Sequence, residues 1–121
     1  MPGLRPLVWV GSSKRDLAAL PEAVRQVMGF ALHQAQAGEE HLAAKALSGF
    51  GGRGVLEVVA RHDGDTFRAV YTVRLERAVY VLHCFQKKAK RGIATPKTEL
   101  ELVRRRLREA EALEAMEGGE P

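Results

Sequence analysis

Several side chains that can bind phosphate or transfer protons lie within about 20 residues of one another in the second half of the sequence. Arg68 lies in the run DTFRAVYTV, and His83, Lys87 and Lys88 follow in the run VYVLHCFQKK. Arginine and lysine stabilise negative charge that develops on phosphorus, and a histidine or a lysine of lowered pKa can act as a general base. These residues therefore suit metal-free cleavage of RNA, in which the 2′-hydroxyl of the substrate is the nucleophile.

Each of these residues also has a structural interpretation. Arg68 could form a salt bridge with Glu57 across a β-hairpin. Lys87 and Lys88 could lie in a solvated loop, and a histidine between apolar neighbours, such as His83, is more often a packed core residue than a base. The pattern leaves both interpretations open for Arg68.

The distribution of charge favours a polyanionic partner. The chain carries a net charge of +4, yet nine cations and only two carboxylates fall between Gln86 and Arg108. A cationic surface of this kind is the electrostatic signature of phosphate binding. We therefore expect RNA contacts from the loop and from the last helix, with Tyr71 as a side chain that could stack on a base; the cations concerned are Lys90, Arg91, Arg104 and Arg105.

Several other classes of chemistry lack support in the sequence. His33, His41 and His62 show no metal-ligand spacing, so we expect neither a metal nor another cofactor. The single Cys84 reads as a small buried side chain in a reducing cytoplasm. No apolar run reaches the roughly 20 residues that a membrane span needs, so no membrane association is expected.

The elements that must position these residues follow from periodicity and from turn signals. Residues 1–121 are predicted to form one domain, with a disordered tail over residues 117–121. A helical turn is conceivable over His41–Leu47. The predicted elements are a first strand at Leu7–Val10, a pair of helices over Lys14–Ala37, strands at Val55–Ala60, Phe67–Val73 and Val79–Phe85 with a turn at His62–Asp65, and a helix from Pro96 to about Met116.

Four sequence blocks together resemble a known family. They are WVGSSKRDL, KALSGFGGRGVLEV, DTFRAVYTV, and VYVLHCFQKKAKRGIATP with the following ELVRRRL. With these blocks the chain resembles the phage-derived HigB-like toxins, a branch of the RelE-type toxin superfamily, from Trp9 to about Ala112. The resemblance implies a small α+β fold of RelE type, with a curved, mainly antiparallel sheet of about four strands, two N-terminal helices and one C-terminal helix.

The resemblance also implies a function and partners. The chain would be the toxin of a type II toxin–antitoxin system and a metal-independent endoribonuclease that cleaves mRNA on the ribosome. Its cognate antitoxin would be a helix-turn-helix protein. The toxin–antitoxin pair would bind operator DNA only through this antitoxin. Arg68 and Lys87 match the family's basic positions, whereas Lys88 and His83 match less closely.

Two alternatives to an active toxin remain open. One is a catalytically inactive homologue that binds RNA or the ribosome. The other is a protein that acts mainly through its antitoxin complex, in which case the acidic segment after Arg108 and the apolar helix faces are the features of interest.

Overall fold

The computed structural model of the chain describes residues 3–51, 54–87 and 95–118. Within these ranges there are two helices near the N-terminus and one at the C-terminal end, so the expected α+β class is confirmed. The elements are β1 (Leu7–Trp9), α1 (Ser13–Ala18), α2 (Glu22–Gln36), β2 (Ala44–Ala46), β3 (Val55–His62), β4 (Asp65–Thr72), β5 (Val79–Lys87) and α3 (Lys97–Gly118).

The strands form one five-stranded sheet in the order β1-β5-β4-β3-β2. β1 runs parallel to β5, and the other three pairings are antiparallel. The sheet thus has one strand more than the expected number of about four. The additional strand is β2, which pairs with Leu56–Val58. The helical turn considered for His41–Leu47 is wrong, because an isolated turn is costly to nucleate whereas the edge of β3 offers ladder hydrogen bonds.

A tight hairpin joins the two strands that carry Glu57 and Arg68. Asp63 and Gly64 have φ angles of 51° and 82°, as a two-residue turn with both central residues in the left-handed region requires. The ladder continues without interruption from the His62–Asp65 pair to the Val55–Thr72 pair. The predicted turn is therefore confirmed, and it sets the register of both strands.

Helices α1 and α2 cover one face of the sheet. Val24, Met28 and Leu32 recur at every fourth position of α2 and are at most 2% exposed. They belong to one apolar cluster with strand residues such as Val58 and Tyr71. The spacing that predicted this helix in the sequence is thus the spacing that forms this part of the core.

Helix α3 covers part of the opposite face, which we call the α3 face. Val103 and Leu107 belong to a second apolar cluster, together with Val70 and Leu82 of the sheet. Near the end of the helix, Glu114 accepts a hydrogen bond from the hydroxyl of Tyr80. Helix α3 is therefore held against the sheet by apolar contacts in its first half and by a hydrogen bond near its C-terminal end.

A β-bulge in β5 changes the direction of its side chains. Val70 pairs with His83, but the next residue, Tyr71, pairs with Val81, so Leu82 is the additional residue. Strict alternation would place His83 on the same side of the sheet as Val81. The bulge instead moves His83 to the α3 face, where it stacks on Phe85 at a centroid distance of 4.5 Å.

Arg106 of α3 stabilises the bulge. Its Nη1 donates to the carbonyl oxygen of Leu82 at 2.9 Å, and its Nη2 donates to Oγ of Ser12 at 3.0 Å. Gly11, whose φ is 58°, lets the guanidinium approach closely, because a Cβ atom there would lie 2.7 Å from Nε of Arg106. One arginine thus connects α3, the bulge and the loop after β1.

The tail that was expected to be disordered lies only partly within the described residues. Helix α3 includes residues 117 and 118, which were expected to be disordered, and residues 119–121 lie outside the described part of the chain.

Over the ranges that the structure describes, no helix is both long and apolar enough to span a membrane.

Candidate functional site

Arg68 lies in the middle of β4 and points to the α3 face. Its Nη1 donates to Oε1 of Glu57 at 2.5 Å, and both side chains are less than 10% exposed. Glu57 is diagonal to Arg68 in the ladder, because Arg68 lies opposite Val59 and Glu57 opposite Val70. The salt bridge anticipated from the sequence is therefore present, and it fixes the guanidinium on the sheet.

Lys87, the last residue of β5, lies beside this ion pair. It is diagonal to Arg68 across the ladder, since Thr66 is its direct partner, and it is 8% exposed. Desolvation lowers the pKa of Lys87, and the nearby charge of Arg68 lowers it further, whereas Glu57 acts in the opposite direction. A lysine with a lowered pKa next to a fixed arginine suits acid–base work at a phosphate.

A second lysine, Lys45, approaches the same site from β2. It lies directly opposite Glu57 in the ladder, and its charge also lowers the pKa of Lys87. Lys45 was not expected at the site, because its segment was interpreted from the sequence as a possible helical turn. The alternation Ala44-Lys45-Ala46 was the available signal, but a strand of three residues is too short for that signal to be distinctive.

His83 is in the vicinity but is engaged by the last helix. Its Nε2 lies 2.5 Å from Oε1 of Glu99, in the first turn of α3. Its Nδ1 is buried and has no hydrogen-bond partner among the described residues. In this conformation neither ring nitrogen is presented to a substrate, although His83 lies on the same sheet face as Arg68 and Lys87.

Tyr71 does not fit its expected role as a stacking platform. It is fully buried in the cluster under α2, on the face of the sheet opposite to Arg68. Burial, and then the negative charge of Glu40, raises the pKa of Tyr71 to about 12. The prediction that Tyr71 contacts RNA is therefore wrong in this structure, because strand alternation directs its ring into the core.

The predicted RNA-binding cations divide into two groups. Arg104 and Arg105 are exposed on α3, and the guanidinium of Arg104 lies 5.0 Å from the centre of the Phe50 ring. The remaining predicted site residues lie outside the described residues; they are Lys88, Lys90 and Arg91. The structure therefore brings Arg68, Lys87 and His83 to one face and leaves these three positions unassigned.

Other kinds of reaction centre find little support in the described ranges. There, no group of histidine, cysteine, aspartate or glutamate residues could hold a metal ion. Cys84 is 3% exposed, as the sequence suggested. Burial, and then the carboxylate of Asp16, raises the pKa of Cys84 to about 12, despite the opposing charge of Arg106. This thiol is thus a packed side chain and not a nucleophile.

Comparisons with known proteins agree with this architecture. Residues 15–108 match the family model of the phage-derived Gp49-like proteins, a range that contains every site residue described above. No curated protein matches the chain in sequence. Among solved structures, the chain is similar to a free-state double mutant of the Escherichia coli toxin RelE, with a TM-score of 0.59 and 19% identity over 85% of this chain and 98% of that one. The expected RelE-type fold is thereby confirmed, whereas the HigB branch stays a prediction.

Proposed function

Since the chain belongs to the phage-derived Gp49-like family and shares the fold of RelE, we propose that it is the toxin of a type II toxin–antitoxin system and that it cleaves mRNA. One observation carries the enzymatic part of the proposal. Lys87, with its lowered pKa, lies next to the fixed guanidinium of Arg68 on the sheet face that α3 only partly covers.

The reaction follows from the roles that these groups can take. A base removes the proton of the RNA 2′-hydroxyl, the oxygen attacks the adjacent phosphorus, and the bond from phosphorus to the 5′-oxygen breaks. A proton then reaches the leaving 5′-oxygen. The products are a 2′,3′-cyclic phosphate, which water can open to a 3′-phosphate, and a 5′-hydroxyl. Arg68 stabilises the additional negative charge on the phosphoryl oxygens.

Lys87 is the residue that we assign to proton transfer. A general base is most effective when its pKa lies near the working pH, and the shift of the pKa of Lys87 is in that direction. His83, also a candidate from the sequence, would have to release Glu99 before either ring nitrogen could contact RNA. We therefore place His83 in a supporting position and leave Lys88 as a proposal from the resemblance.

The partners in this proposal are a ribosome that carries mRNA and a cognate helix-turn-helix antitoxin. The exposed Arg104 and Arg105 would contact RNA phosphates, as would Lys90 and Arg91. Operator DNA would be reached only through the antitoxin. No metal or other cofactor is required, because the nucleophile belongs to the substrate.

A second candidate function rests on the Arg68–Glu57 salt bridge. A guanidinium whose charge is already matched by a buried carboxylate binds a phosphate less strongly than one without a counter-ion. On this alternative the chain is a catalytically inactive homologue that binds RNA or the ribosome and acts mainly through its antitoxin complex.

Induced expression of matched variants separates the two functions. In the wild type we expect growth arrest and new mRNA 5′ ends within translated regions. Lys87→Met keeps the side-chain stem, and we expect it to lower cleavage by about 10²–10⁴-fold, the range of a lost acid–base catalyst. Lys14→Met, which removes one charge from an exposed position on α1, serves as the control. Ribosome or RNA binding without new 5′ ends in the wild type would favour the inactive homologue.

A further inference from the structure

A pocket lies beside the candidate site, between β2 and the first turn of α3. Its volume is about 240 Å³ and it is open to solvent on one side. This is below the usual range for sites that bind drug-sized ligands, and suits a single nucleobase or sugar. The lining residues are Lys45, Ala46, Leu47, Ser48, Glu57, Thr95 and Leu100.

The pocket is continuous with the site through Glu57. This carboxylate lines the pocket and at the same time accepts the hydrogen bond from Arg68 through Oε1. Lys45 lies opposite Glu57 in the sheet and is close enough to Lys87 for its charge to affect that residue. Three basic side chains thus lie near one carboxylate, and Arg68 and Lys45 leave an excess of positive charge even when Lys87 is neutral, which favours an anion at the mouth of the pocket.

The walls of the pocket combine the two kinds of surface that a nucleotide needs. Leu47 and Leu100 supply apolar surface for the face of a base. Ser48 and Thr95 bring hydroxyl groups, and that of Thr95 is buried without a hydrogen-bond partner in the described part of the chain. Proteins that recognise single-stranded RNA bind unstacked bases between apolar surfaces and polar groups at their edges.

We propose that this pocket binds the nucleotide next to the scissile phosphate. Lys45 then pairs with the phosphate on the far side of that nucleotide, which is not cleaved. The inference rests on the proposed function, since it takes Arg68 and Lys87 as the position of the scissile phosphate. An RNA strand whose scissile phosphate contacts Arg68 then extends past Glu57 into the pocket. Lys45 is a substrate-binding residue in this arrangement and takes no part in proton transfer.

A double-mutant cycle between the protein and the RNA tests this contact. Wild type and Lys45→Ala are assayed on ribosomes programmed with short mRNAs in which one phosphodiester at a time is replaced by a neutral methylphosphonate. The toxin concentration for half-maximal single-turnover cleavage and the maximal rate are measured separately. Lys45→Ala removes an exposed side chain from an edge strand and should leave the fold intact. Lys14→Ala, which removes the same charge on α1, is the matched control.

We expect Lys45→Ala to raise the half-maximal concentration about tenfold, as the loss of one charge-assisted contact of about 1.4 kcal/mol would do. Because the charge of Lys45 also lowers the pKa of Lys87, the maximal rates are compared on the plateau of the pH profile, where Lys87 has lost its proton in both proteins and the rates should be equal. At a single linkage next to the cut, the methylphosphonate should raise the half-maximal concentration of the wild type by the same factor as Lys45→Ala does. The same replacement should have little further effect on the Lys45→Ala variant. The proposal would be overturned if the effects of Lys45→Ala and of the methylphosphonate on the half-maximal concentration multiplied at every linkage. It would also be overturned if Lys14→Ala raised this concentration as much as Lys45→Ala does.

A binding measurement distinguishes failure of the inference from failure of the proposed function. Anisotropy of the same labelled RNAs gives the salt dependence of binding whether or not cleavage occurs. Loss of one phosphate contact should reduce the slope of log K against log salt by about 0.7 for single-stranded RNA. If the wild type binds without cleaving, the proposed enzymatic function fails while the Lys45 contact is still measured. If Lys45→Ala leaves the slope unchanged, or if the wild type binds no RNA, the pocket is not a nucleotide site.

Discussion

Oε1 of Glu99 lies 2.5 Å from Nε2 of His83, and this contact joins the first turn of α3 to the strand that carries Lys87. The ring of His83 is at the same time stacked on Phe85, which lies directly opposite Arg68 in the sheet. The first turn of the last helix is thus connected, through two side chains, to the residue that we place at the scissile phosphate.

Glu99→Ala should loosen this turn without unfolding the protein. Glu99 is about one-third exposed, so solvent screens its interaction with His83. We expect the free energy of unfolding to fall by less than about 1 kcal/mol. Amide hydrogen exchange in the first turn of α3 should become faster. Glu101→Ala, an exposed carboxylate in the same turn region, should change neither quantity. Equal protection in both variants would show that the contact does not hold the turn.

Removal of Arg68 alone should destabilise the fold. Arg68→Met would remove the salt bridge of the buried Glu57 carboxylate, but Lys45 and Lys87 would remain near it. We therefore expect a loss of about 1–3 kcal/mol, less than the roughly 3–5 kcal/mol of a fully unpaired buried charge. The double variant Arg68→Met with Glu57→Leu should recover most of this loss in urea denaturation, because apolar residues of similar volume often replace a buried ion pair without net cost. Neither variant should cleave RNA. A single variant as stable as the wild type would contradict the buried pair.

The pH dependence of cleavage should report the pKa of Lys87. The rate should rise with pH as Lys87 loses its proton and should level off below the ordinary lysine pKa of about 10.4. Glu57 holds the pKa of Lys87 up, so in Glu57→Gln this rise should move to lower pH. In Lys87→Arg the rise should vanish, because arginine stays protonated. An unchanged profile in Lys87→Arg would exclude this lysine as the base.

The free energy of unfolding should depend on pH through Lys87, in a direction that follows from its lowered pKa. The pKa of Lys87 is lower in the folded state than in the unfolded chain, so between these two values the unfolded chain binds more protons. The contribution of Lys87 to the free energy of unfolding therefore becomes more favourable as pH rises through this window. Urea denaturation at several pH values should show this rise in the wild type, and Lys87→Met should lack it.

Arg106 and Arg105 are adjacent on α3 and offer a matched pair of substitutions. Arg106 donates to the carbonyl of Leu82 at the bulge and to Ser12, whereas Arg105 is exposed. Arg106→Met should lower the free energy of unfolding by about 1–3 kcal/mol, since a buried carbonyl loses its donor. Arg105→Met should change it by less than about 0.5 kcal/mol. Equal effects of the two variants would show that Arg106 does not stabilise the bulge.

Local patterns in the sequence determined most of the elements. Val24, Met28 and Leu32 recur at every fourth position of α2. The Asp63–Gly64 turn has the residues that a tight hairpin requires, and Thr95-Pro96 precedes the start of α3. Each of these signals is decided by neighbours within a few residues, which is why it can be read without the fold. The short strand β2 could not be predicted in this way, because three residues are stabilised only by the strand beside them.

The identity of the site depended on distances that no local pattern contains. The sequence alone indicated that Arg68 and Lys87 could act on phosphate, and it left the salt bridge to Glu57 as an alternative. Three further placements are seen only in the tertiary structure. Lys45 lies opposite Glu57 at the site, and Tyr71 is buried in the core. A bulge places His83 on the α3 face, where it contacts Glu99. Sheet register and a bulge held by a distant arginine fix these relationships, and both arise from contacts between segments far apart in the chain.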